Sequence, residues 1–524
     1  MFKKYLTKEN FFALLFVLVA LHPFYEMDYL FSSFLNSFGG FRPSVFIDYI
    51  LFPLMVLIAF LCFEKNKKKV LTFVGIYAVL LIAYFIPHCK TGLYLQDNIH
   101  LGYTFMFTYK DEIIYLMCLL LPLAYIYVYN FTEITESIIK KISVVISAFV
   151  SLPIVISNFL QVGYTTYLDV MAGSFFDWFS LPFNDTDKHP RRYATKFFFE
   201  EGNTIGVLMV IVLPFMYYFF LKETDKRKKA LLGFLILSDS LSMMMLGTRI
   251  ASYCAILIPI TVLAVHVFTA VIKTEKFKVW FAGFCVLLTL INAGILPYCP
   301  AYQNQKFDAS DFSTLKLNDD IREGFRKGIE EGAEGMEPFG PAWIDYYCYM
   351  FLQYKFLVGV TPAVYYEYWY DYRVDPKFWV DLIFDYELEE RVNARQLETI
   401  FYKYKWDLLT PAQKLTGFTW SLFMWGGITI EKDFLVHFYT YGYLGFPLIM
   451  GPWVVMFLYM IYKFLRSYKY GKWNMFNFTL MMSVALSVVA SYASGHGYDE
   501  LTVTMFVALC CTAIIQRMRN NEQA

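Results

Sequence analysis

Apolar runs recur along the chain at the length of about twenty residues that a bilayer-crossing helix needs. They fall near 11–29, 45–63, 70–87, 112–129, 142–160, 203–221, 230–246, 250–271, 279–297, 435–462, 475–493 and 501–516. Several carry an internal Pro or Gly, which membrane helices tolerate because neighbouring groups satisfy the freed backbone. Short polar stretches separate most of the runs. One polar interval is long, between the ninth run and the tenth. The pattern therefore predicts an all-α polytopic protein of about twelve transmembrane helices in three parts: residues 1–297 with nine spans, a loop domain at 298–434, and 435–524 with three spans.

Charge orients this arrangement. With the N-terminus inside, the cytoplasmic segments collect the basic residues, among them Glu64–Lys69, Lys222–Lys229 and Lys463–Lys472. The short outer loops hold few, and half of those few lie in the 161–202 loop. This is the bias of a membrane protein with both termini in the cytoplasm, and it predicts that 298–434 is extracellular. Composition agrees: the 524 residues are 58% hydrophobic and 17% charged, more apolar than a soluble domain. The net charge of +0 argues against a nucleic-acid partner. The 298–434 segment is acidic and aromatic, with Tyr365, Tyr366, Tyr368, Trp369 and Tyr370 close together and helical spacing over Leu388–Trp406. It has apolar residues enough to pack, so a folded, mainly helical domain is expected.

The nine cysteines show no metal-ligand spacing and read mostly as small buried hydrophobes. Cys89, Cys299 and Cys348 are expected to face outward. The first apolar run lacks a small-residue cleavage site and reads as a span rather than a removable leader.

Four polar sites stand out at the expected membrane boundaries. The 161–202 loop ends in Arg191-Arg192 and Glu200-Glu201-Gly202-Asn203, immediately before a span. These residues suit an outward polar funnel, and they equally suit an interface marker with a capped helix. Thr248-Arg249 forms the outer turn between two spans. An outward arginine there either snorkels or meets an anion, and a diphosphate fits a guanidinium that donates two parallel hydrogen bonds. Arg391 and Arg395 lie in the large loop, where taken alone they read as a solvated helix face. Glu431-Lys432-Asp433, with His437, Tyr441, Gly442 and Gly445 following, mark the return to the membrane. The two carboxylates either compensate a helix dipole or provide a general base. His437 reads as a hydrogen-bonded core histidine or as a site residue.

In their order and topology these four sites resemble the O-antigen ligase and O-antigen polymerase superfamily of bacterial membrane glycosyltransferases. Thr248-Arg249 matches a Ser-Arg or Thr-Arg turn after the seventh span. Ala394-Arg395 with Gly417 is similar to a Gly-Arg site in the large loop, and Glu201-Gly202-Asn203 to a Glu-Pro-Asn motif. Ligases place a catalytic His eleven residues before the first Gly of a Gly-x-x-Gly turn, whereas eleven residues before Gly442 stands Glu431. Glu431-x-Asp433 looks like the polymerase version.

The resemblance implies a GT-C-like membrane enzyme that acts at the outer face of a bacterial plasma membrane. The donor would be a glycan on polyprenyl (undecaprenyl) diphosphate, and the acceptor a sugar hydroxyl. It implies Glu431 and Asp433 as catalytic, with Arg249, Arg395, Arg191 and Arg192 on the diphosphate. Glu200, Glu201, Asn203, His437 and Tyr441 would line the substrate, with no metal or cofactor and an inverting transfer. A ligase moving a finished glycan is the alternative within the superfamily. A twelve-span transporter or flippase is the alternative from another class, disfavoured because no repeated halves are detectable.

Overall fold

The computed structural model describes residues 7–32, 34, 42–98, 107–166, 170–180, 189–310, 319–358, 365–391, 394–424 and 430–519. Among these the chain is all-helical, with only an isolated bridge between Tyr164 and Val170. Ten helices are long and apolar enough to cross a membrane. An eleventh span results if Lys8–Ala20 and His22–Phe31, bent by 61° to one another, count as one. The bend falls where His22, Pro23, Glu26 and Asp28 interrupt the apolar run. The segment expected at 230–246 is also a helix, Lys226–Met245, but its four leading basic residues and Asp239 make it too polar to meet the same measure.

Two compact units divide the chain. The first comprises Met1–Val70, Met117–Gln305 and Gly451–Ala524; the second comprises Leu71–Leu116 and Lys306–Met450. The second unit is thus wider than the segment delimited by hydropathy.

In the first unit the helix Gly202–Lys222 is buried along its length. It is apolar on every side, the pattern of a helix enclosed by others. It packs against Met475–Ser494, Arg249–Val271, Lys226–Met245 and Glu136–Ile146. Lipid tails are as apolar as these side chains, so close packing and interhelical hydrogen bonds hold such a bundle together. Gly206 supplies close approach: a Cβ there would lie 3.1 Å from Thr248 Oγ1 and 3.3 Å from Ala251 Cβ. Ser147 Oγ donates to Asp239 Oδ2 at 2.6 Å, and Asn292 Nδ2 to the Ala255 carbonyl at 2.7 Å.

The second unit is built on an aromatic core. Trp343, Phe351, Tyr370, Trp379, Phe401, Tyr402, Trp406 and Phe418 are all buried in it. Tyr370 therefore packs inside, while Tyr368 is exposed. The helix Pro376–Asp385 is started by Asp375, whose carboxylate accepts from Phe378 N. Thr410 and Gln413 form a reciprocal capping box that starts Pro411–Thr416.

Beneath the core, Lys405 and Asp375 are a fully buried ion pair at 3.3 Å. Tyr404 donates to Asp375 Oδ1 at 3.2 Å, and Lys405 bonds the Tyr370 hydroxyl. Burial pulls the Lys405 ammonium down to about 8, with Asp375 opposing the shift. Removing one partner of a buried pair strands the other charge, so Asp375→Asn is expected to destabilise this unit by about 3–5 kcal/mol. The thermal midpoint followed by tryptophan fluorescence in detergent checks this; an unchanged midpoint would show that the pair adds nothing to stability.

All nine cysteines are free, with Cys89 and Cys299 buried and Cys62 exposed. Cys348 is half-buried.

Candidate active site

In the second unit two stretches of backbone cross at close approach. Gly417 and Gly442 both take left-handed conformations, at φ of 78° and 66°. A Cβ on Gly417 would lie 2.5 Å from Gly442 N, and one on Gly442 equally close to Gly417 N. No other residue type fits at either place without moving backbone. Phe418 N donates to Tyr439 O at 2.9 Å and Thr419 N to Thr440 O at 3.2 Å, which locks the crossing. The helix Asp433–Arg466 is broken at Gly442 as a result.

Three residues outside the expected site brace this crossing. The Tyr84 hydroxyl donates to the carbonyls of Thr416 at 2.9 Å and Tyr441 at 2.7 Å. His88 Nδ1 lies 2.8 Å from the Thr416 carbonyl, and its Nε2 lies 3.1 Å from Glu112 Oε2. Glu112 Oε1 in turn accepts from Ser421 N at 2.6 Å. A buried His and Glu near the ends of two apolar runs were the available signal, because such groups are costly in a membrane unless they have work.

Just before the helix Asp433–Arg466, Glu431 meets Arg395. Arg395 Nε and Nη2 both donate to Glu431 Oε2, at 2.8 and 2.6 Å. The two side chains are 32% and 37% exposed, so an anion or a hydroxyl can reach the pair. Asp433, by contrast, is 1% exposed. Of the two expected carboxylates, only Glu431 is accessible to a substrate. Behind the pair lies Glu398, buried at 5% exposure, whose Oε2 accepts from Glu431 N at 3.3 Å. Burial, reinforced by the charge of Glu431, holds the Glu398 carboxyl well above the usual carboxylate range.

His437 is fully buried, with Nδ1 2.7 Å from the Tyr115 hydroxyl. Tyr115 stacks on Trp420 with ring centroids 3.8 Å apart. Tyr441 is buried too, its ring next to those of Tyr115 and His88. Both residues are core elements of the helix Asp433–Arg466.

The remaining expected residues lie in the first unit. Arg249 is exposed and opens the helix Arg249–Val271, with Thr248 at its N-cap position. The positive end of a helix disfavours a cation, so local helix electrostatics do not explain the arginine. Arg191 and Arg192 sit in a short 3-10 turn, Pro190–Tyr193, with Arg191 Nε donating to His189 Nδ1 at 3.1 Å. Glu201 is exposed at the N-cap position of Gly202–Lys222, and Asn203 is half-buried in its first turn. Glu200 is held by Arg42, which donates to its two oxygens at 3.0 and 2.7 Å and to Asp28 at 2.8 Å. Arg42 was not expected.

Two groups in this unit bring three ligand atoms within 4.8 Å of one another: His22, Glu26 and Asp48, and His496, Asp499 and Glu500. In the first group the ring nitrogens of His22 already lie 3.1 Å from each carboxylate. That is the arrangement of an internally satisfied polar cluster.

Fold and site together define a multi-pass, all-helical membrane protein with a reachable Arg–carboxylate pair just before the helix Asp433–Arg466. Residues 8–521 match the family described as O-antigen ligase like membrane protein, and the chain belongs to that family. Membership implies a membrane glycosyltransferase-type activity that ligates or polymerises glycans, with glycan and lipid-linked substrates. Neither the curated proteins nor the solved structures searched contain a match.

Proposed function

We propose that the protein polymerises a surface polysaccharide at the outer face of a bacterial plasma membrane. It transfers glycan from a polyprenyl diphosphate donor to a sugar hydroxyl of an acceptor glycan. The observation that carries this reading is the exposed Arg395–Glu431 pair in a chain of this family. Glu431 takes the proton of the acceptor hydroxyl. The acceptor oxygen bonds the anomeric carbon from the side opposite the diphosphate, the carbon–phosphate-oxygen bond breaks, and configuration inverts. The electron pair leaves with the polyprenyl diphosphate, whose charge the guanidinium of Arg395 stabilises. Arg249, Arg191 and Arg192 are further candidates for the donor's phosphates. Glu431 returns its proton to water after release. A carboxylate rather than a histidine eleven residues before Gly442 favours polymerase over ligase.

Reconstitution tests the activity: the purified chain with lipid-linked repeat should yield longer glycans, one polyprenyl diphosphate being released per bond formed. Hydrolysis without chain growth, or transfer to a different acceptor only, would remove the polymerase reading. Sidedness has its own test. In a cysteine-free background, a cysteine at the exposed position Glu323 should react with an impermeant reagent on intact cells, and one at Lys67 only after lysis. The reverse pattern would place Glu323 inside and Lys67 outside.

A further inference from the structure

Glu398 stands one helical turn beyond Arg395 on Ala394–Leu408, and residues three apart share a helix face. That face meets the segment at Ile430–Glu431. Arg395 and Glu431 are each about one-third exposed, yet Glu398 beside them is sealed. The groups whose charges act on it, or on which its own charge acts, are Arg395 and Tyr402 on its own helix, Glu431 and Lys432 on the facing segment, and Tyr365. The two short Arg395 bonds to a carboxylate end on Glu431, while Glu398 accepts the Glu431 amide.

We infer that Glu398 is a positioning residue that works as a neutral acid: it holds the Glu431 backbone in place and sets no second negative charge beside the Arg395–Glu431 pair. The inference rests on the reading of Glu431 as the base. Burial and the neighbouring Glu431 charge favour the protonated form; Arg395, Lys432 and the Glu431 amide oppose it. Once ionised at alkaline pH, Glu398 sets a second negative charge behind the pair. That charge competes for Arg395 and repels an anionic donor, so transfer stops although Glu431 is still a base.

The test is a pH profile of transfer for the wild type, Glu398→Gln, Glu398→Ala and Glu431→Gln, each in detergent with lipid-linked repeat. Glutamine copies the shape and hydrogen bonding of the neutral acid. Glu398→Gln should keep most of the neutral-pH rate and lose the alkaline decline that the wild type shows. Glu398→Ala should fall by about tenfold, the loss expected for one buried hydrogen bond. An alkaline decline that survives in Glu398→Gln overturns the inference. A second measurement needs no Glu398 variant. By infrared spectroscopy, the protonated-carboxyl absorption of the wild type should disappear across the alkaline limb, and at lower pH in Glu431→Gln, where the neighbouring charge is gone. A carboxyl that titrates identically in both proteins also overturns it. An active Glu431→Gln removes the base reading and this inference together; an inactive one with an unchanged limb in Glu398→Gln removes this inference alone.

Discussion

Glu431→Gln is expected to reduce transfer by about 10²–10⁴-fold, the usual contribution of a positioned general base, while the protein still reaches the membrane. Glutamine preserves size and can still face Arg395, so the loss isolates the missing charge and proton acceptor. Asp433→Asn should be milder, because that carboxylate is buried and out of a substrate's reach. His437→Gln should be mildest; glutamine is preferred to alanine there because the ring is fully buried against Tyr115. The assay is polymer formation from purified lipid-linked repeat with a chelator present. An active Glu431→Gln beside an inactive His437→Gln would make His437 the base. If the chelator alone stops the reaction, a metal carries part of the leaving-group charge, and His496, Asp499 and Glu500 become the first residues to substitute.

Arg395→Ala should cost about 10²–10³-fold, as removal of one preorganised charge-stabilising donor does elsewhere. Arg395→Lys should recover part of the rate, since an ammonium keeps the charge and loses the planar fork. The geometry adds a binding signature. Arg395 spends two donors on Glu431, so a diphosphate has to compete with that carboxylate. Inorganic diphosphate, measured by calorimetry, should therefore bind more tightly to Glu431→Gln than to the wild type, and more weakly to Arg395→Ala. Equal affinities across the three proteins would take Arg395 out of the donor site.

The spans were legible because a bilayer imposes a local rule: roughly twenty apolar residues in a row. The rule strained where polarity entered a run, at His22 to Asp28 and in the helix with Asp239. Arg395 and Glu431 could be selected singly from motif order, but their contact joins residues 36 apart in the chain, a separation that local periodicity does not encode. Arg42 and His88 were missed for the same reason, with partners 158 and 328 residues away. Glu398 was missed for another reason. An acidic residue on an amphipathic helix is usually solvated, and only the fold shows that this one is covered.

Gly417 and Gly442 hold two stretches of backbone at a fixed point, and that makes the eleven-residue interval from Glu431 to Gly442 a ruler. The chemistry at its far end is open to exchange, because nothing at the crossing senses which side chain stands at 431. The length is not open to exchange: one residue inserted into the helical part would turn everything ahead of it by about 100° and shift it by about 1.5 Å. Glu431 would then swing off Arg395, and a protein with both side chains intact would have lost the contact between them.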